Sequence, residues 1–215
     1  MSNDIRMAGN YRILHAFEIG HKEFVVGEDL TASPDEKYVV ADYQNNGLFE
    51  KYVNALVSND YAEVAKIFAQ RISDEAERVI EEKSKIDFDI SLLTIENCKE
   101  VDYKDSIKNK VIVLKAEIFK PEYQIATSQL QLCTGGFGAE AKSRGSACFC
   151  TNLYSGKENR YERQDVLGIV DKESLPQWAK DRLQQIEKER VEKESNRMTR
   201  DKELAMASMA DIDAS

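Results

Sequence analysis

The stretch that most constrains this chain runs from Tyr61 to Ile80. Tyr61, Val64, Ala65, Phe68, Ile72, Ala76, Val79 and Ile80 fall mostly at steps of three and four. That is the period at which a helix gathers its apolar side chains on one face. Asp60 stands just before the run and Glu63 three positions later, the outline of a capping box with Asp in the Ser/Thr place. The spacing predicts a helix from 61 to about 84. A single apolar stripe is unstable in water and has to be covered, here by a sheet.

The preceding residues supply strands for that sheet. Residues 11–19 alternate weakly and end at Gly20, and 21–26 resume and stop at Gly27, which predicts a hairpin. Residues 28–37, with Asp29, Ser33, Pro34 and Asp35, form a loop, and 38–43 a third strand broken by Asn45-Asn46-Gly47. Leu48, Phe49, Tyr52, Val53, Leu56 and Val57 have helical spacing, so 48–57 is expected to be a second helix.

The second half is richer in strand signals. Residues 87–95 fit a strand or a turn-rich connector, and the polar 99–110 a loop. Residues 111–118 are β-branched and extended. Residues 123–133 form a strand whose parity slips between Thr127 and Leu130, as a β-bulge would cause. Residues 147–154 and 157–163 flank Ser155-Gly156, a hairpin turn, and 166–170 continue or end the sheet. Ser174, Pro176 and Gln177 announce a last helix with Leu175, Trp178, Ala179, Leu183 and Ile186 on its apolar side. Residues 180–203 hold eight basic and seven acidic side chains, a solvated face, and 205–215 are expected to be disordered. The expected fold is α+β: a mostly antiparallel sheet with two helices in the first half and a long C-terminal helix. The expected organisation is a unit at 1–86, a connector at 87–107, a β-rich unit with its helix at 108–186, and a charged helical or disordered tail at 187–215.

Charge is unevenly spread. Residues 1–110 carry 22 acidic against 14 basic side chains, net −8, and residues 111–215 carry 17 against 16, net −1. An acidic first half disfavours phosphate binding there. It suits attraction to a basic partner such as the groove of a nucleic-acid enzyme, or simply solubility. No apolar run approaches the ~20 residues that span a bilayer, and Met1–Arg6 shows no basic cluster followed by an apolar run. A cytoplasmic protein with reduced thiols and no membrane contact is expected.

The most distinctive segment is the glycine-rich stretch 134–146 between two strands. Gly135, Gly136 and Gly138 permit close backbone approach, Phe137 stands among them, and Lys142 and Arg144 add charge. Such a loop can clamp a phosphate or press Phe137 into a partner; alternatively, the glycines only shape a wide hairpin with Phe137 folded onto the sheet. It lacks the Gly-Lys-Ser/Thr of a phosphate-binding loop, and a strand follows it rather than the helix of a dinucleotide fingerprint. Lys157, Arg160 and Arg163, interspersed with Tyr161 and Glu162, form either a basic patch beside the loop or ordinary cross-strand ion pairs. Cys133, Cys148 and Cys150 are spaced C-x14-C-x-C. That is unlike the short knuckles of zinc sites, so buried free thiols are expected and no metal or other cofactor. The two histidines, His15 and His21, sit in the expected N-terminal hairpin, far in sequence from any candidate nucleophile. No catalytic residue is assigned.

Two blocks carry a resemblance. NYRILHAFEIGHKEFVVGED (10–29), followed by YVVADYQ and the helical AQRI, forms one block. QLCTGGFGAEAKSRGSACFCTNLYSGKENRYERQDVLGIV (131–170), with LPQWAKDRL, forms the other. Both resemble uncharacterised accessory proteins of conjugative and phage-like mobile elements of gut Gram-positive bacteria; 85–120 lies outside the resemblance. It implies a gene carried beside transfer and counter-defence genes, and a small acidic non-enzymatic product that binds a host protein or nucleoprotein effector complex. The expectation is an inhibitor of a host defence nuclease, of anti-CRISPR or antirestriction type. The alternative is an accessory factor binding nucleic acid directly through 134–146 and 157–163. The oligomeric state is left open.

Overall fold

The computed structural model describes residues 6–31, 35–45 and 47–213, with side chains through Arg197 except Glu194. Ser33, Pro34 and Asn46, read above as turn residues, lie outside the described residues, as do residues 214–215 of the tail. The chain divides into two compact units, Met1–Asp87 and Phe88–Ser215.

In the first unit, strands β1 (Met7–Ala8), β2 (Tyr11–Ile19), β3 (Lys22–Glu28), β4 (Tyr38–Asn45) and β5 (Glu50–Ser58) form an antiparallel meander in chain order. Helix α1 (Tyr61–Ser84) follows. Its start is built as the sequence suggests: the Asp60 carboxylate accepts the Ala62 N–H at 2.8 Å. Glu63, however, accepts the Ser58 hydroxyl at 2.6 Å instead of closing a reciprocal box. Val64, with Ile67 and Phe68, packs on Val26 and Val40 of the sheet, which buries the apolar stripe.

The helix expected over 48–57 is strand β5. Val53 pairs with Asp42 and Leu56 with Val40, so Asn54 and Ala55 together oppose Ala41. This bulge changes the parity of the apolar residues, and two strand segments joined by a one-residue slip imitate helical spacing. Asn54 takes φ +54° there and its side-chain amide donates to Asp42 at 2.7 Å. Arg71 of α1 closes the network, donating to Asp42 and to the Asn54 carbonyl, both at 2.7 Å. The first half thus holds one long helix rather than two.

A second polar tie holds α1 to the β2–β3 turn. Glu75 is buried, is paired with Arg78, lies 3.3 Å from Lys22 Nζ and accepts the His21 N–H at 3.4 Å. Gly20 makes the approach possible: at φ +59° it carries no Cβ, which would overlap the Glu75 carboxylate.

In the second unit, β6 (Val111–Leu114), β7 (Leu130–Gly135), β8 (Ala147–Asn152), β9 (Glu158–Glu162) and β10 (Val166–Val170) form an antiparallel sheet in the order β10-β6-β7-β8-β9. Two helices accompany it, the short α2 (Ala126–Gln129) and the long α3 (Gln177–Asp213). One face is covered by α3: Val111, Val113, Leu130 and Leu132 cluster with Ala179, Leu183 and Ile186. The other face is covered by loops: Ile112, Leu114, Cys133, Cys148 and Cys150 cluster with Ile107 and Ala139.

Several expectations change here. β6 ends at Leu114, and Ala116–Ile118 is a 3-10 turn. The parity slip in 123–133 is the helical turn α2, which precedes β7, and not a bulge inside one strand. Residues 88–107 belong to the second unit. The buried Gln129 side chain explains part of this, donating to the Leu93 carbonyl at 3.0 Å and accepting the Leu93 N–H at 2.8 Å. Gln177 does not reach back to Ser174 but donates to Asp181 at 2.7 Å. The backbone expected to be disordered from 205 is helical through Asp213. Among the described residues no helix is long and apolar enough to cross a membrane.

The Glu75 cluster gives a pH prediction. Its hydrogen bond to Arg78, helped by Lys22 and the His21 N–H against the opposing cost of burial, lowers the carboxyl pKa from 4.5 to about 2. A lowered folded-state pKa stabilises above the unfolded value and is lost as pH falls through the folded one. Glu75→Gln should therefore have a lower urea midpoint than wild type at neutral pH. The difference should shrink as the pH falls from 4.5 toward 2, read by circular dichroism. A constant difference would remove Glu75 from the acid limb.

Candidate functional site

Between β7 and β8 the chain folds back onto its own second strand. Gly136 has φ +96°, and a Cβ there would overlap the Ala147 carbonyl and stand 3.2 Å from Cys148 Cα. Gly138 is tighter still: a Cβ would overlap the Ser146 carbonyl and lie 2.9 Å from Cys148 Sγ. Gly135, by contrast, has nothing within 4 Å of its Cβ direction. Two glycines are therefore required by close backbone approach and one is not.

The loop is fastened from outside as well. Phe137–Ala139 forms a 3-10 turn with Gly138 and Ala139 buried. The Ala139 carbonyl accepts the Ile107 N–H at 2.9 Å and the Ser106 hydroxyl at 3.1 Å. Lys142, at φ +54°, donates its N–H to the Tyr103 carbonyl at 3.0 Å, and the Tyr103 hydroxyl donates to the Ser143 carbonyl at 2.9 Å. Arg163 spans three carbonyls, giving hydrogen bonds of 3.0 Å to Gly138 and 2.9 Å to each of Asp102 and Asp105. The bonds to the Gly138, Ala139 and Asp105 carbonyls satisfy part-buried backbone oxygens.

With Gly138 and Ala139 turned inward, Phe137 points outward. It is 77% exposed, so the alternative of a ring folded onto the sheet is not adopted. Tyr103, 59% exposed, borders the same loop through its bonds to Lys142 and Ser143. Lys104, Lys142 and Arg144 are exposed and enter no ion pair among the described residues, whereas Lys108 is paired with Glu140 at 2.8 Å. Two of the three cations of the second hairpin are engaged, while Lys157 is exposed. Arg160 pairs with Glu162 at 2.7 Å, and Arg163 is the half-buried staple. The surface that remains is Phe137, Tyr103, Lys104, Lys142 and Arg144. Tyr103 and Lys104 went unnoticed in the sequence because nothing local in a polar loop shows that it will lie against residues some forty positions away.

Beneath the loop lie three free thiols. Cys133, Cys148 and Cys150 are buried in one cluster. The influence of Cys148 pulls the Cys133 pKa down, but that of Cys150 together with burial outweighs it and pushes the thiol up to about 12. Cys148 is raised by its proximity to Cys133 and by burial. Among the described residues no group of three His, Cys, Asp or Glu side chains is arranged to hold a metal ion. No protein-family model, curated protein or solved structure matches the chain.

The glycines make a paired prediction. Gly138→Ala should destabilise the second unit by about 1–3 kcal/mol through overlap with the Ser146 carbonyl, while Gly135→Ala should stay within about 0.5 kcal/mol. Urea titration of both variants checks this; equal effects would contradict the close approach. Removing the staple with Arg163→Met should leave three carbonyls short of donors and raise hydrogen exchange at Ile107, Ala139 and Lys142. Unchanged protection there would show that the loop does not depend on Arg163.

Proposed function

We propose that this chain is a non-enzymatic interaction protein of a mobile genetic element that inhibits a host defence nuclease, of the anti-CRISPR or antirestriction type. The observation that carries the interaction reading is Phe137, an aromatic ring held in solvent by a fastened loop. Aromatic side chains dominate interface hot spots, and a loop already fixed in its bound shape loses little entropy on docking. The acidic first unit supports a partner with a basic face, the kind presented by enzymes that grip nucleic acid. The mobile-element origin rests on the two resembling sequence blocks. Phe137, Lys142 and Arg144 are the proposed contact residues, joined by Tyr103 and Lys104.

The test is affinity purification from a host carrying a panel of defence systems, followed by cleavage assays on whatever nuclease is captured. Wild type should suppress cleavage and Phe137→Ala should weaken inhibition by about tenfold or more. Undiminished cleavage across the panel rejects the reading.

A second reading, binding of nucleic acid through the loop, is favoured by Lys104, Lys142 and Arg144, which enter no ion pair among the described residues, beside two exposed rings, a pairing suited to phosphates and stacked bases. The 157–163 hairpin adds less to it, because Arg160 and Arg163 are already engaged. It predicts binding of a labelled single strand that weakens with salt and with Arg144→Ala; no anisotropy change at low salt rejects it.

A further inference from the structure

The three thiols have a geometry that their burial alone does not explain. Cys133 and Cys150 face each other directly across β7 and β8. The backbone of Cys133 is turned the other way: its N–H donates to the Lys110 carbonyl at 3.0 Å and its carbonyl accepts the Asn109 N–H at 2.7 Å. Cys133 and Cys150 are therefore a non-hydrogen-bonded antiparallel pair. Such pairs bring Cα atoms to about 4.5 Å, inside the range a disulfide needs. Both side chains are buried in one cluster on the same face of the sheet.

We propose that Cys133 and Cys150 are a disulfide-forming pair, oxidised by a peroxide, and that their oxidation loosens the glycine-rich loop above them. One thiolate sulfur attacks a peroxide oxygen; the O–O bond breaks, leaving a sulfenic acid and one water. The second thiol then attacks the sulfenic sulfur; the S–O bond breaks, a second water leaves, and the S–S bond forms. Two thiols lose two electrons and two protons, and hydrogen peroxide becomes two waters.

The coupling to the loop follows from what the thiols hold. Cys133 Sγ donates to the Gly135 carbonyl at 3.9 Å and Cys148 Sγ to the Ser146 carbonyl at 3.6 Å, one at each end of the loop. A disulfide at Cys133 removes the S–H that reaches Gly135. It also moves Cys133 within the cluster it shares with Cys148, whose sulfur lies directly under Gly138. Burial and the protonated state of Cys133 make the reaction slow in the closed protein, so oxidation proceeds as the loop opens.

Purified full-length protein treated with hydrogen peroxide, then alkylated and digested, should yield the Cys133–Cys150 cross-linked peptide with Cys148 and Cys98, the half-buried fourth free cysteine of the chain, still free. Trypsin, which cuts after Lys142 and Arg144, should open the loop about fivefold faster after oxidation. Cys150→Ser should abolish both changes. Cys150→Ala provides the same control if the serine variant does not fold. Oxygen adducts in place of the cross-link, or a bond to Cys98 or Cys148, overturn the pairing. A Cys133–Cys150 bond that leaves the tryptic rate unchanged overturns its link to the loop.

Discussion

Strand β6 buries all four of its side chains, and the second unit is organised around that demand. A strand buried on both faces needs a cover on each. Helix α3 provides one with Ala179, Leu183 and Ile186. Among the described residues no α-helix packs on the other, so the task falls to loops carrying Ile107 and Ala139. Loops bring unpaired carbonyls to a surface that must stay dry, and each needs a donor. Arg163 and Ser106 supply them at Gly138, Asp105 and Ala139. The path of 134–146 is thus set by the need to cover a sheet, and Phe137 is exposed because the residues after it are required inside.

The first unit meets a simpler demand, one helix on one sheet, and spends its polar groups on positioning. Arg71, Asp42 and Asn54 fix the helix against the bulge in β5. Glu75 fixes it against the hairpin turn through Arg78, Lys22 and the His21 N–H. A carboxylate buried without partners would be strongly destabilising, so these contacts also specify register: a shifted helix would strand Glu75 away from its cations.

For function, the consequence is that the loop is fastened rather than loose. A fastened loop can present an aromatic ring in one orientation, which favours recognition of a surface over capture of a flexible ligand. The thiols under it link that presentation to chemistry inside the sheet. Both readings draw on the same few residues, and those residues are not the full set suggested by composition. Arg160 and Arg163 are basic in sequence but occupied in the fold, whereas Tyr103 and Lys104 enter only through contact.

The amino-acid sequence by itself determined the helix at Tyr61–Ser84 with its Asp60 cap, the N-terminal hairpin around Gly20, the pairing of β8 with β9, whose connection is residues 153–157 rather than a two-residue turn, and the apolar start of α3. Each is a local pattern whose partners lie within a few residues. It misassigned 48–57 and 123–133 because a bulge and a helical turn shift parity in ways that periodicity alone cannot tell apart. It found the glycine-rich loop but not its direction. Only the tertiary structure decided that Gly138 faces inward, that Phe137 faces outward, and that Arg163 is a staple instead of a contact. These depend on carbonyls and sulfurs brought together from distant parts of the chain, and a short-range pattern holds no information about them.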